Sequence, residues 1–215
     1  CLLLTTVDTL VSGRHFLDGD DAARVGWKAL GVSISDIAAM GGTPWCAVVS
    51  LTLPPATRVA YVESLMEGIA RCARRYGVAV AGGDIVGGHE TSVSLTVNGW
   101  AHSSGIVCRD GASVGDVVAV TGMLGGSLTS GRHYDVTPRV ECAQWLMAHA
   151  RPSAMMDVSD GLAVDGARLA AASNVALRLD GAALPVAPDS TREGALYDGE
   201  DFELLCTFDP GVMTA

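Results

Sequence analysis

Between Val25 and Pro44 the chain reads VGWKALGVSISDIAAMGGTP, and Val25, Ala29, Val32 and Asp36 recur at i, i+4, i+7 and i+11. On a helix these four side chains share one narrow sector, so Asp36 lies on the apolar face. Arg24, Lys28, Gly31 and Ser35 form the polar stripe of the same helix, and Gly41, Gly42 and Pro44 end it. A carboxylate on an apolar face costs several kcal/mol unless something compensates it. Backbone amides or a metal cation could do so, and this stretch alone leaves both open.

The same pattern predicts the flanking elements. Leu2 to Val7 is an apolar, β-branched run that reads as a strand delivering Asp8 at its end, beside the Thr5 and Thr6 hydroxyls. That Asp could equally cap a turn. Asp18-Gly-Asp-Asp opens the central helix, where acidic residues suit the positive end of its dipole. Ala47 to Leu53 is a second strand, stopped by Pro54 and Pro55. From about Thr57 to Tyr76 an amphipathic helix turns Val62, Leu65, Met66, Ile69 and Ala73 inward and ends at Gly77. VAVA then reads as a short strand running into Gly82, Gly83 and Asp84, and Ser92 to Trp100 alternates as a half-exposed strand.

The polar, glycine-rich run from Ala101 to Gly115 reads as a domain junction and carries Arg109, a surface residue or a phosphate clamp. Val117 to Thr121 restarts the pattern as a strand, and Pro138 to His149 is a helix. Ala154 to Val158 is a strand holding Asp157, with Ser159, Asp160 and Gly161 leading into a helix from Leu162 to Ser173. Asp157 and Asp160 flank that strand-to-helix turn, where both can face one ion or Asp160 can serve as a cap. Tyr197 to Glu203 leads into a last strand, Leu204 to Phe208.

The chain has 215 residues, 49% of them hydrophobic, enough for two modest domains or one large one. A net charge of −10 disfavours nucleic acid and anionic membranes as partners. Its 6 cysteines form no C-x-x-C pair, so neither a zinc site nor a disulfide framework is suggested, and a reducing cytoplasm is the expected compartment. The start lacks a basic segment, and no apolar run approaches the ~18 residues of a membrane span.

Asp8, Asp36, Asp84 and Asp157, with Asp160 close behind, outnumber the acids a structural core needs. Carboxylates with hydroxyls, and without Cys or His ligands, select Mg²⁺ over Zn²⁺. Several such ions imply a polyanion such as ATP. There is no G-x-x-x-x-G-K-[ST] motif, and Gly122-Met-Leu-Gly-Gly-Ser lacks the dinucleotide spacing, so phosphoryl transfer would run on metals rather than a P-loop. His15, in SGRHF, is either structural or faces a substrate.

The runs TTVDTLVSGRHF, KALGVSISDIAAMGGTP, AGGDIV, DVSDGL and DGEDFELL, in this order, resemble the thiamine-monophosphate kinase family of the aminoimidazole-ribonucleotide-synthetase superfamily. The resemblance implies an α+β fold class with two α/β domains, residues 1–105 and 106–215. The first would be a sheet domain that pairs in a homodimer, the second an α/β sandwich. It implies an ATP site between them and in-line transfer of the ATP γ-phosphoryl group to thiamine monophosphate. By the same resemblance Thr6, Asp8, Asp36, Asp84, Asp157 and Asp160 hold Mg²⁺, Gly83, Asp84, Arg109 and Ser159 meet ATP, and His15 and Glu200 meet thiamine monophosphate. Positioning and metals carry the reaction, with no catalytic base.

The family's usual Thr before the first Asp is Val7 here, and Ile85 stands where a Thr usually follows GGD. The family's Gly-Asp-Asp motif and its C-terminal aromatic would lie outside these residues, so the sequence is expected to be part of a longer chain. Gly19-Asp20-Asp21-Ala22-Ala23 mimics the missing motif but sits at a helix start. The alternatives are another ATP-using member of the superfamily, a selenophosphate synthetase or formylglycinamidine-ribonucleotide cyclase, or a nucleotide-binding paralogue without chemistry.

Overall fold

The computed structural model describes residues 2–212. In chain order the elements are β1 (Leu3–Val11), α1 (Ala22–Ala39), β2 (Thr43–Leu53), α2 (Val59–Tyr76), β3 (Ala79–Gly87) and β4 (Ser92–Trp100). There follow β5 (Val117–Val120), α3 (Ser127–Ser130), a 3-10 turn at Arg132–Tyr134, α4 (Val140–His149), β6 (Ala154–Asp157), α5 (Leu162–Ala172), α6 (Arg192–Tyr197) and β7 (Leu204–Phe208). The first set builds a four-stranded sheet in the order β1-β4-β2-β3, and the second a three-stranded antiparallel sheet, β5-β7-β6. This is the α+β class that the family resemblance implies. No helix among the described residues is long and apolar enough to cross a membrane.

Two strands run further than their apolar stretches indicate. β1 pairs with β4 along its whole length, up to Val11 opposite Ser92, so Asp8 lies within the strand and not at its end. β3 continues through the double glycine to Gly87, parallel to β2, which puts Asp84 in mid-strand opposite Ser50. In both cases backbone pairing with a neighbour overrides the local polar signal.

Period-two alternation then sorts the side chains. Leu4, Thr6, Asp8 and Leu10 turn inward toward α1, whereas Leu3, Thr5, Val7 and Thr9 turn to the outer face. Leu51, Val93, Leu95 and Val97 continue the inner face.

α1 is the spine of the molecule. Val25, Ala29 and Val32 pack with Leu65 and Ile69 of α2 and with the inner face of the first sheet. A Cβ on Gly26 would stand 2.0 Å from the Leu65 carbonyl oxygen, and one on Gly68 1.9 Å from that of Ala23. Only glycine lets the two helix backbones approach this closely. At the other end, Ala38 and Ala39 belong to a second core with Ala143, Met147, Met155, Leu204 and Phe208.

The stripe of Arg24, Lys28, Gly31 and Ser35 does not simply face water. Arg24 pairs with Asp135, Lys28 with Glu200, and Ser35 with Asp157, while Gly31 faces Val136. It is the seam against the second half of the chain. Helical periodicity tells which residues share a side but not what covers that side.

Candidate active site

Three elements deliver the acidic centre. β1 contributes Thr6 and Asp8, α1 contributes Asp36 one turn before its end, and β6 presents Asp157 at its tip. The Thr6 hydroxyl donates to Asp36 Oδ2 at 2.5 Å, and the Ser35 hydroxyl donates to Asp157 Oδ2 at 2.6 Å. Thr6, Asp36 and Asp157 line a cavity of about 630 Å³, with Arg109 at its exposed edge and Met40, Met155 and Met156 on its apolar side. The Arg109 guanidinium has no ion pair or hydrogen bond among the described residues.

The carboxylates of the centre oppose one another's charge. Burial, the charge of Asp36 and a hydrogen bond with that residue push the Asp8 carboxyl up to about 6, against the Ser33 hydroxyl. Asp157 is only 8% exposed, and burial followed by the charge of Asp36 pushes it up to about 7, against the Ser35 hydroxyl. Like charges in a desolvated pocket favour protonation or a cation. Among the described residues no three His, Cys, Asp or Glu side chains are grouped tightly enough to enclose a metal alone. Carboxylate and hydroxyl oxygens therefore suit a hard divalent ion that takes its remaining ligands from water and phosphate.

The other expected site residues lie elsewhere. Asp84 is on the edge strand β3, three positions across the sheet from β1, and its partner Ser50 is on the outer face. Within one chain it does not join Asp8, Asp36 and Asp157, because strand parity turns it away from α1. Gly83 is needed for packing: a Cβ there would lie 1.8 Å from the Val49 carbonyl oxygen. Asp160 does not turn to the cluster but pairs with Arg168. Val7 is 64% exposed on the face opposite Asp8, so no side chain at that position would reach the cluster. The Asp20-Asp21 pair behaves as a helix start, with Asp21 accepting from Ala23 N–H at 2.9 Å.

Two residues at the site are not among those the sequence points to: Asp165, and Lys28, which it places only in a polar stripe. Asp165 is fully buried and accepts from the Ser159 and Asp160 amides at 2.9 and 2.8 Å, shaping the turn after β6. Its place in the first turn of α5 was the available signal. Lys28, 1% exposed, contacts Glu200 Oε2 at 2.6 Å and donates to the His15 carbonyl at 2.9 Å, so it joins the two expected substrate residues. The His15 ring accepts from Val11 N–H through Nδ1 at 3.0 Å.

Glu200 sits in a left-handed conformation at φ 58°, and Phe202 at φ 51°. Such residues cost about 1–3 kcal/mol each and persist only where surroundings hold them. Here the Glu200 amide donates to the Ser159 carbonyl at 2.7 Å, the Phe202 amide to that of Val158 at 2.8 Å, and the Ser127 hydroxyl to the Glu200 carbonyl at 2.6 Å. The loop carrying Glu200 is thereby tied to the strand end that carries Asp157.

Residues 1–101 match the family described as AIR synthase related protein, N-terminal domain. The thiamine-monophosphate kinase of Rhodopirellula baltica is 40% identical over 210 residues, covering 92% of this chain and 66% of that protein. That of Aquifex aeolicus is 34% identical, covering 95% of this chain and 75% of that protein. Among solved structures, AaThiL complexed with AMPPCP and TMP superposes with a TM-score of 0.91 at 33% identity, over 98% of this chain and 76% of that one. The hydrogenase maturation protein HypE, in complex with ATP, shares the fold at a TM-score of 0.86 and 19% identity. Identity at this level over nearly the whole chain makes this chain a member of the thiamine-monophosphate kinase family.

Proposed function

We propose that the protein transfers the γ-phosphoryl group of ATP to the phosphate of thiamine monophosphate, giving thiamine diphosphate. The observation that carries this reading is the convergence of Asp8, Asp36 and Asp157, from three distant segments, beside a cavity edged by the unpaired Arg109. The relatives named for this reaction, and the relative complexed with AMPPCP and TMP, support it.

Thr6, Asp8, Asp36 and Asp157 would hold Mg²⁺, which would supply positive charge to neutralise the phosphates. Arg109 meets the phosphates, and the Ser159 segment borders the nucleotide. His15 and Glu200 hold the acceptor. Its phosphate oxygen is already ionised at neutral pH, so the protein has only to position it, and no general base is required. Asp160, held by Arg168, would have to leave that ion pair to join the residues that would hold Mg²⁺.

The outer face of the first sheet exposes Leu3, Val7, Trp45, Val48 and Trp100, an apolar surface unlike that of an isolated domain. We assign it to a second copy of the chain, with residues 1–105 as the pairing unit and 106–215 as the second. On that reading Gly83 and Asp84 contribute where two copies meet. Isothermal titration of the full-length protein with thiamine monophosphate, and with a non-hydrolysable ATP analogue, tests the function. Heat from both in the presence of Mg²⁺, with thiamine diphosphate formed from ATP, is expected. No heat from thiamine monophosphate ends the proposal.

A further inference from the structure

We propose that Lys28 is a positioning residue for the acceptor: acting through Glu200, it sets the carboxylate that receives thiamine monophosphate. The inference rests on the function proposed above and extends it to a residue outside the metal cluster.

Lys28 lies midway along α1, and its ammonium gathers groups from three separate segments. It stands 2.6 Å from Glu200 Oε2, donates to the His15 carbonyl at 2.9 Å, and lies 5.6 Å from the centroid of the Tyr134 ring. Stability does not account for a charge here. A buried ion pair commonly gains nothing over well-packed apolar side chains of similar volume, and its neighbours on α1 are themselves buried. A Met or Leu would fill the same space without desolvating an ammonium.

What the charge does is hold an anion in place. Glu200 Oε2 is sealed from solvent and has no aligned hydrogen bond, so its ion pair with the lysine is its close compensation among the described residues. No donor among the described residues reaches Oε1. That oxygen is left for a ligand, on a loop whose left-handed backbone at Glu200 is pinned to Ser159 and Ser127. Without Lys28 the carboxylate would be expected to swing toward water, and the His15 loop would lose its tie to α1.

The test uses full-length wild-type protein, K28M, K28R, E200Q and K28M/E200Q. Each is titrated separately with thiamine monophosphate and with a non-hydrolysable ATP analogue, with Mg²⁺ present and melting followed in parallel. K28M is expected to weaken thiamine monophosphate about tenfold or more and the analogue less than about twofold, and K28R to recover most of the loss. Because Lys28 acts through Glu200, K28M/E200Q is expected to bind thiamine monophosphate no worse than E200Q alone. That comparison also stands if K28M by itself fails to fold. A purely structural lysine would lower the melting temperature and leave this split unmoved. Wild-type affinity in K28M, equal loss of both ligands, or additive losses in the double variant would overturn the inference alone. Wild-type protein that takes up no thiamine monophosphate overturns the functional reading, and this one with it.

Discussion

Replacing Asp157 by Asn is expected to stabilise the metal-free protein while abolishing its activity. The Asp157 carboxyl titrates at about 7 in the fold against an ordinary 3.8, chiefly because it is buried and faces Asp36. A raised value means the fold binds the proton more tightly than the unfolded chain does. That stabilising contribution is complete below about pH 4 and lost as pH rises through about 7. At roughly 1.4 kcal/mol per pH unit, keeping the carboxylate ionised at pH 8 costs the metal-free fold up to about 4 kcal/mol. Asn is nearly isosteric, and its carbonyl can still accept from Ser35. After about 1–2 kcal/mol for desolvating the new amide, D157N is expected to gain at least about 1 kcal/mol at pH 8. For a chain of this size that raises the melting temperature by several degrees. Near pH 4 the gain from removing the charge is expected to vanish. Thermal unfolding in a chelator at both pH values measures this. Saturating Mg²⁺ is expected to reverse the order, because only the wild type gains the full binding energy of the ion. If D157N melts below wild type at pH 8 without metal, the carboxylate is compensated by something other than a bound cation, and the reading of the cluster fails.

Three further outcomes follow from the packing. Arg139 donates through Nε to Glu203 Oε2 at 2.7 Å and also reaches Oε1, while Glu203 is 1% exposed, so Arg139→Met is expected to cost about 3–5 kcal/mol in urea unfolding. Arg139→Met/Glu203→Gln is expected to recover much of it, and a single variant as stable as wild type would refute the account. Gly26→Ala puts a Cβ 2.0 Å from the Leu65 carbonyl, forces α1 and α2 apart, and is expected to cost about 3 kcal/mol, where an exposed Gly→Ala in a helix gains about 1. If the outer face pairs two copies as proposed, Val7→Lys is expected to shift light scattering from dimer to monomer; a dimer unchanged by it removes that face as the pairing surface.

Much of the scaffold is written locally. The apolar spacing from Val25 to Val32 makes α1, Asp21 caps its start, and Gly77 at φ 67° closes α2. The tip of β6 at Asp157 follows from a short apolar run meeting Ser159 and Gly161. These depend on neighbours within about a turn, which the residue order displays directly.

What lies across space is another matter. Nothing near Lys28 announces Glu200, 172 positions further on, and Ser35 finds Asp157 across 122 positions. Asp84 follows an apolar run and paired glycines that suggest a ligand, yet its direction is decided by pairing with Ser50 beyond a register shift between Ala47 and Val48. The sequence by itself determined which carboxylates exist, and on which kinds of element. Tertiary structure alone decided that Asp8, Asp36 and Asp157 meet, that Asp84 and Asp160 stand apart, and that a lysine in an apparently solvated stripe is buried. The reason is that periodicity orders side chains around their own backbone, while the company they keep is set by the packing of one element against another.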